Sequence, residues 1–275
     1  MKKPLLTTLV LLALATPAFS AIQYDFIQKS SVEGATIPNS DMTGRAVIDG
    51  DRSRIDFIAG DVYPAGTYVV STDGARNLYF VDPEKKWYTE FNTASIASSI
   101  SASQIKITNL KSEVVKLGAG EIIAGIPTER HQLTLSYDIT VTINRMPLRQ
   151  GVKTTVRTWT TQKFGEVGRT AFSSHIRTGN PEIDQILELE TTRVPGLPLR
   201  QIVTTVTTNL SGRPVKSEIQ LPATRTITRE MWVTSIREVS STPVSFTVPV
   251  SYRRADTPEV PKAPAQVLEF RPATK

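Results

Sequence analysis

The sequence of 275 residues contains no cysteine and only two histidines. Without cysteine the chain can form neither a disulfide nor a thiolate metal site, and it cannot carry a lipid anchor attached at a cysteine. His131 and His175 fall on different predicted strands, and no cluster with zinc-ligand spacing surrounds either one. We therefore predict no metal and no cofactor, and a structural or surface role for both histidines.

Familiar catalytic motifs are also missing from the sequence. It has no Gly-x-Ser-x-Gly turn and no glycine-rich phosphate loop. Acidic pairs such as Asp49/Asp51 and Asp82/Glu84 fall in predicted turns, where solvated carboxylates are expected. The prediction is a protein that is not an enzyme. An envelope hydrolase is the least favoured hypothesis, because it needs a polar cluster inside an apolar trough.

The charge pattern excludes a further class of partner. The formal net charge is +6, but both signs are scattered and no basic stripe with interleaved aromatics is present. Such a pattern is not that of a nucleic-acid-binding protein. No apolar run is long enough for a permanent transmembrane helix.

The N-terminus is typical of an export signal. Lys2 and Lys3 precede the apolar run Leu5–Ala15, and Ala18-Phe19-Ser20 has small residues at the positions that a signal peptidase recognises. Residues 1–20 are therefore predicted to be a cleaved signal peptide. The mature protein is predicted to be periplasmic or secreted.

The clearest structural signal is the stretch His131–Ile143. Apolar and polar residues alternate along it without a break from Leu133 to Ile143. Since successive side chains of a strand point to opposite faces, the stretch predicts a long strand with one apolar and one wet face. Long strands of this kind are typical of antiparallel sheets.

Similar patterns occur along most of the chain. Asp49-Gly50 and Asp73-Gly74 each separate two short strands, as tight turns do. Further strands are predicted at Ile122–Ile126 and Thr224–Val239, with a short edge at Ser245–Pro249 and a turn at Arg145–Gln150. Two short helices are predicted, at Thr93–Ser103 and at Glu182–Glu190.

The second of these helices has a start signal, because Asn180-Pro181 combines an N-cap residue with proline at the first helical position. Residues 21–254 are predicted to form one antiparallel β domain. Residues 255–275 contain several prolines and are predicted to be an extended, mostly disordered tail.

Aromatic residues are concentrated in the region between Tyr68 and Phe91. They either fill a packed core or line an apolar trough that binds a hydrophobic ligand. Under the second hypothesis, the candidate ligand-binding residues are those on the apolar side of the predicted sheet and first helix: Tyr68, Phe80, Trp87, Ile96, Ile100, Leu133, Leu135, Tyr137, Ile139 and Val141.

A short internal echo is also present. Pro147-Leu148-Arg149-Gln150 and Pro198-Leu199-Arg200-Gln201 each lead into a Thr-Thr-Val strand. The echo is either a duplicated strand pair or a coincidence among β-rich segments, and it is too short to indicate two homologous domains.

Four segments together resemble an uncharacterised family of exported bacterial proteins in the LolA/LolB-like lipoprotein-localisation superfamily. The segments are Gly44–Asp56, Leu78–Tyr88, Ala124–Thr128 and Pro243–Tyr252. The resemblance implies an unclosed, curved antiparallel half-barrel with two or so short helices packed on its concave face. The chain departs from typical carriers of the superfamily by an insertion at about Arg169–Pro198 and by its tail.

The resemblance implies that the concave face shelters lipid or lipoprotein acyl chains, as in the carriers of that superfamily, and it supplies no catalytic residues. The first hypothesis is accordingly an envelope protein that binds or carries acyl chains. The alternative is a non-catalytic envelope scaffold with a solid core that docks other envelope proteins, with the tail as a candidate docking segment.

Overall fold

In a computed structural model, the described part of the chain comprises residues 21–33, 40–92, 105–143, 146–165, 180–192, 194–211, 223–240 and 246–255. The predicted signal peptide, the first predicted helix and nearly all of the predicted tail lie outside these residues. The described chain is mainly β and contains one helix, α1 (Pro181–Thr192). Its strands are β1 Ala21–Glu33, β2 Ser40–Asp49, β3 Arg52–Gly60, β4 Tyr68–Ser71, β5 Asn77–Asp82, β6 Trp87–Asn92, β7 Ile105–Ala119, β8 Glu129–Ile143, β9 Met146–Thr161, β10 Leu197–Asn209, β11 Thr224–Val239 and β12 Arg253–Arg254.

All twelve strands belong to one sheet, in the order β12-β6-β5-β4-β3-β2-β1-β11-β10-β9-β8-β7. Every neighbouring pair is antiparallel except β12 and β6. The sheet is therefore two meanders, β1–β6 and β7–β11, joined where β1 pairs with β11. The two ends of the order do not pair with each other, so the sheet is unclosed, and the predicted antiparallel fold class is confirmed.

The two hairpins predicted from Asp49-Gly50 and Asp73-Gly74 are present, as β2–β3 and β4–β5. Gly50 has a φ of 59° between β2 and β3, a conformation that glycine adopts without steric cost. Asp73 organises the β4–β5 connection, because its carboxylate accepts hydrogen bonds from the backbone and side chain of Asn77. Short polar side chains that bond their own backbone are a common way to fix a turn.

Three local predictions were wrong. Residues 122–126 form a tight turn and not a strand: Ile123 and Ile126 exchange backbone hydrogen bonds around Ala124 and Gly125, which both have positive φ. Residues 146–150 belong to β9, where a turn was predicted. The C-terminal edge strand is formed by Arg253–Arg254, because residues 246–250 instead turn across the outer side of the sheet.

Helix α1 confirms the second predicted helix. The Asn180 Oδ1 atom accepts hydrogen bonds from the backbone N–H groups of Glu182 and Ile183, at 3.1 and 3.0 Å. Its Nδ2 atom donates to the Ile105 carbonyl at 3.3 Å, which ties the start of the helix to β7. The N-cap thus satisfies orphan donors of the helix and also fixes its position on the sheet. The side of the sheet that carries α1 is called the inner face, and the opposite side is the outer face.

Candidate functional site

The inner face is a continuous surface that crosses the whole sheet. Because residues directly opposite each other in a ladder point to the same side, the register assigns every strand's inner residues. One row runs from Leu133 through Val156 to Val203. Another crosses β1 to β6 through Tyr24, Ala46, Ile55, Val69, Phe80 and Thr89. The apolar residues of both meanders therefore share one side.

Helix α1 closes one end of this face. Ile186 and Leu189 pack on Leu133, Leu135, Ile107 and Val156, all of which are buried. Leu133 and Leu135 have no exposed surface. Because these side chains are buried against one another, the contact is a packed core and not an open trough. Burial of each leucine side chain contributes about 2 kcal/mol.

An aromatic cluster fills the other end. Phe57 and Tyr63 stack with ring centroids 4.0 Å apart, and Phe80 lies 6.0 Å from Trp87. Phe26 completes the cluster from β1, and it fits only because residue 44 is glycine. A Cβ atom on Gly44 would lie 2.6 Å from the Phe26 ring.

Between these two packed ends, on β10 and β11, lies a half-buried apolar region, here called the midface and defined by Val203, Ile227 and Met231. Tyr24 on β1 lies outside it, because this side chain packs against the aromatic cluster and against a third buried cluster formed by Ile126, Leu197, Leu199 and Val233. Burial raises the pKa of Tyr24 to about 12. Arg229, which is exposed, stands opposite Val203 and lies between Ile227 and Met231 on the same side of β11. The midface is therefore a partly accessible apolar surface with one exposed cation within it.

A polar row borders the midface. His131 on β8, Thr158 on β9 and Gln201 on β10 stand opposite one another, and the row continues to Met231. His131 is 5% exposed, and its Nδ1 atom has no hydrogen-bond partner. Burial lowers the pKa of the His131 imidazole; Glu129 opposes this effect and Lys116 adds to it. This shift favours the neutral form of the imidazole.

The predicted ligand-binding residues do not form one site. Phe80 and Trp87 belong to the aromatic cluster. Leu133, Leu135, Tyr137 and Ile139 belong to the cluster under α1, and Val141 is half-buried opposite Ile105 beside it. Ile96 and Ile100 lie outside the described residues. The structure thus brings several of these residues onto the inner face but divides them between its two packed ends.

Tyr68 was placed on the wrong side of the sheet. It packs with Val70 and Val81 on the outer face, where Val248 and Tyr252 cover this small cluster. The Arg54 guanidinium lies 3.9 Å above its ring. The side of Tyr68 was misjudged because aromatic residues occur on both parities of β4 to β6.

Sequence reasoning also missed the midface. Ile202 and Val206 share the parity of Thr204 on β10, and the register turns these residues to the outer side and Val203 to the inner side. The local sequence does not show which of Ile202 and Val203 faces inward. Only the pairing of β10 with β9 and β11 shows this.

The outer face is mostly polar and carries a shallow groove of about 580 Å³ over β7 to β10. Lys111, Ser136 and Lys153 form one row across it. The Asp138 carboxylate accepts hydrogen bonds from Arg149 and Asn109 at 2.6 and 2.8 Å. These contacts lower the pKa of Asp138, most through Arg149. The groove is therefore a solvated, mildly basic surface.

Neither a metal centre nor a membrane-crossing helix was found in the described ranges. Among those residues, no three His, Asp or Glu side chains are grouped so as to hold a metal ion. The helix in this part of the chain is also too short and too polar to span a bilayer.

The described chain thus belongs to the class of proteins built on a single open antiparallel sheet, whose apolar side is partly covered by a helix. The sequence matches no known family model and no curated protein sequence. Among solved structures, the chain is similar to a LolA superfamily protein from Nitrosomonas europaea, at 11% identity and a TM-score of 0.31, over 84% of this chain and 91% of that chain. It also overlaps lipovitellin, in a structure that describes lipid–protein interactions, at 8% identity and a TM-score of 0.24, over 81% of this chain and 26% of that chain.

Proposed function

We propose that this protein binds the acyl chain of a lipid or lipoprotein on the midface, without catalysing a reaction. The observation that carries the proposal is the half-buried apolar surface of Val203, Ile227 and Met231 between two packed ends of one face. Burying such residues under a ligand removes apolar area from water, at roughly 25 cal/mol per Å².

The shape of the sheet supports an acyl chain as the ligand. Neighbouring strands lie about 4.8 Å apart, so the path from β8 across β9, β10 and β11 to β1 is roughly 19 Å long. The cluster under α1 lies at the β8 end of this path and the aromatic cluster at the β1 end. A long, flexible hydrocarbon fits such a strip better than a compact ring system does.

The proposed setting is the bacterial envelope, which the protein reaches by the predicted signal peptide of residues 1–20. An exported carrier of acyl chains needs an apolar surface that is shielded on one side and open on the other. Expression of the full chain, with N-terminal sequencing of the exported product, tests this setting. The expected N-terminus is Ala21, and retention of the intact chain in the cytoplasm would contradict the export proposal.

Binding is tested by extracting lipid from purified protein for mass spectrometry, and by titrating delipidated protein with the fluorescent fatty acid cis-parinaric acid. Val203→Asp places a charge on the midface, and we expect it to weaken binding by at least tenfold. Val206→Asp is the matched control, since Val206 lies on the same strand with similar burial but faces outward.

Circular dichroism and thermal unfolding of both variants check that each is folded. If wild-type protein retains no lipid and binds no probe, the acyl-binding proposal is wrong, and the non-catalytic scaffold is favoured. Equal weakening by the two aspartate variants would place binding away from the midface.

A further inference from the structure

The inner face carries polar atoms that have no partner in the structure. Thr89 Oγ1 and His131 Nδ1 are both buried, and neither makes a hydrogen bond. A buried polar group without a partner costs roughly 1 to 3 kcal/mol, so such groups are rare in folded proteins. Each one therefore requires a physical explanation.

The surroundings of the two atoms differ. Thr89 lies opposite Phe80 and among the aromatic cluster, with no further polar group in its row on β3 to β5. His131 lies at the head of a row in which Thr158 and Gln201 follow on the next two strands. Only the histidine thus combines an unpartnered atom with neighbouring polar side chains.

The row also leads directly to the apolar surface. Gln201 stands opposite Met231, which is a midface residue. Side chains directly opposite in a ladder have Cβ atoms about 5 Å apart, so His131, Thr158 and Gln201 form a short polar strip. This strip ends where the midface begins. A ligand lying across the midface would bring its polar end to the strip.

We propose that His131, supported by Thr158 and Gln201, is the subsite for the carbonyl head of an acyl ligand, with Nδ1–H donating to the carbonyl oxygen. This rests on the proposed function and extends it by assigning the orientation of the ligand. Carboxylic acids and acyl esters share this carbonyl, and both are acceptable ligands. The unpartnered Nδ1 atom is then a preorganised donor that is satisfied when the ligand binds.

The charged groups around His131 fit a neutral donor. Lys116 faces it from β7 and Glu129 precedes it on its own strand, and these two side chains pair with each other at 2.9 Å. Thr158 faces it from β9 and is uncharged. Since the nearby charges are already paired, His131 provides hydrogen-bonding capacity without a net charge.

The test separates the head group from the hydrocarbon. N-phenyl-1-naphthylamine, which lacks a carbonyl, reports binding to the apolar surface, and its displacement by palmitic acid or methyl palmitate reports binding of each carbonyl ligand. We expect His131→Leu to weaken both carbonyl ligands by about five- to tenfold, the effect of one net hydrogen bond. It should leave the affinity for the dye itself unchanged.

Two further variants serve as controls. His131→Asn keeps an N–H donor near the position of Nδ1 and should restore most of the affinity for both ligands. Thr89→Val removes the Thr89 hydroxyl, whose Oγ1 atom is also buried without a hydrogen bond, and should not change the affinity for either ligand. A loss with palmitic acid alone would restrict the subsite to carboxylates, which overturns the shared-carbonyl assignment.

The subsite is also wrong if His131→Leu binds both carbonyl ligands as tightly as wild type, or if it weakens the dye equally. Failure of the wild-type protein to bind dye or ligand would instead refute the proposed function. Thermal unfolding without ligand gives an independent readout. His131→Leu should raise the Tm, because it removes a buried unpartnered polar atom, and a lower Tm with unchanged affinity would indicate a purely structural histidine.

Discussion

Thr154 and Thr205 lie opposite each other on β9 and β10, with their Oγ1 atoms 3.3 Å apart. The sequence echo has two copies, and each copy begins with a proline. Thr154 and Thr205 lie the same number of residues after the proline of their own copy. The structure places both copies in one sheet, as neighbouring antiparallel strands related by a local two-fold axis at this pair. Both copies of the echo therefore lie side by side in the same sheet.

The same symmetry relates two ion pairs. Arg149 binds Asp138 on the adjoining strand β8, and Arg200 binds Glu230 on the adjoining strand β11. In each ion pair, one residue of the adjoining strand stands directly opposite the arginine. The acidic residue lies on that same strand, two residues away from it. The two sites differ in their surroundings, because Arg200 also contacts Glu121 and lies 4.8 Å above the Trp159 ring.

The first prediction follows from this difference. Arg200→Ala should lower the free energy of unfolding by about 1 to 2 kcal/mol, since it removes two ion pairs and a cation–π contact from a partly buried site. Arg149→Ala should have a smaller effect, because the Arg149 side chain is more exposed. Urea unfolding of both variants measures the difference, and a larger loss for Arg149→Ala would contradict this ranking.

The second prediction concerns the close approach of Gly44 and Phe26. Gly44→Ala should destabilise the protein by about 1 to 3 kcal/mol, because the added methyl group overpacks against the Phe26 ring. Gly151→Ala is the matched control: it is also a strand glycine without positive φ, and its added Cβ would meet Leu210 at an ordinary distance of 3.4 Å. The smaller side chain of Phe26→Leu should recover part of the loss, as measured in a double-mutant cycle.

The third prediction concerns the cap of α1. Asn180→Ala should lower the free energy of unfolding by about 1 kcal/mol, because two backbone donors of the first turn lose their acceptor. Asn180→Asp keeps that acceptor and loses only the hydrogen bond to the Ile105 carbonyl. Denaturant unfolding should therefore show wild type as the most stable protein, the aspartate variant as intermediate and the alanine variant as the least stable. An alanine variant equal to wild type would show that the cap does not hold α1.

The fourth prediction concerns stability in acid. The Arg45 guanidinium, 2.7 Å from the Asp25 carboxylate, holds the pKa of that carboxyl below its usual value; partial burial opposes this, and the Ser235 hydroxyl adds to it. Since the folded pKa is lower than the unfolded one, the pair stabilises the fold above about pH 4 and the contribution is lost as the pH falls through the folded pKa.

Thermal unfolding of wild type and Asp25→Asn at a series of pH values checks this. The Tm difference between the two should be largest near pH 6 and should shrink towards pH 2. Added salt should also reduce it at pH 6, because the pair is partly exposed. A difference that grows on acidification would contradict the sign of the shift.

Local sequence signals were sufficient for most of the secondary structure. The alternation in His131–Ile143 predicted β8, the Asp49-Gly50 turn predicted the β2–β3 hairpin, and Asn180-Pro181 predicted the start of α1. Each of these depends on contacts between residues close in the chain. The apolar side of β8 was predictable too, because a period of two assigns every side chain of an unbroken strand at once.

The position of the candidate site was decided only by tertiary structure. The pairing of β10 with β11 places Val203 diagonally to Ile227 and Met231, and the register shift near Arg200 decides which side Val203 faces. Tyr68 went to the outer face because the β4 register, and not its aromatic character, assigns its side. His131 had no local mark of function, since its lack of a hydrogen-bond partner follows from what the assembled sheet leaves around it. The sequence by itself thus determined a one-sided antiparallel sheet, whereas long-range strand pairing decided which residues remain accessible on its apolar side.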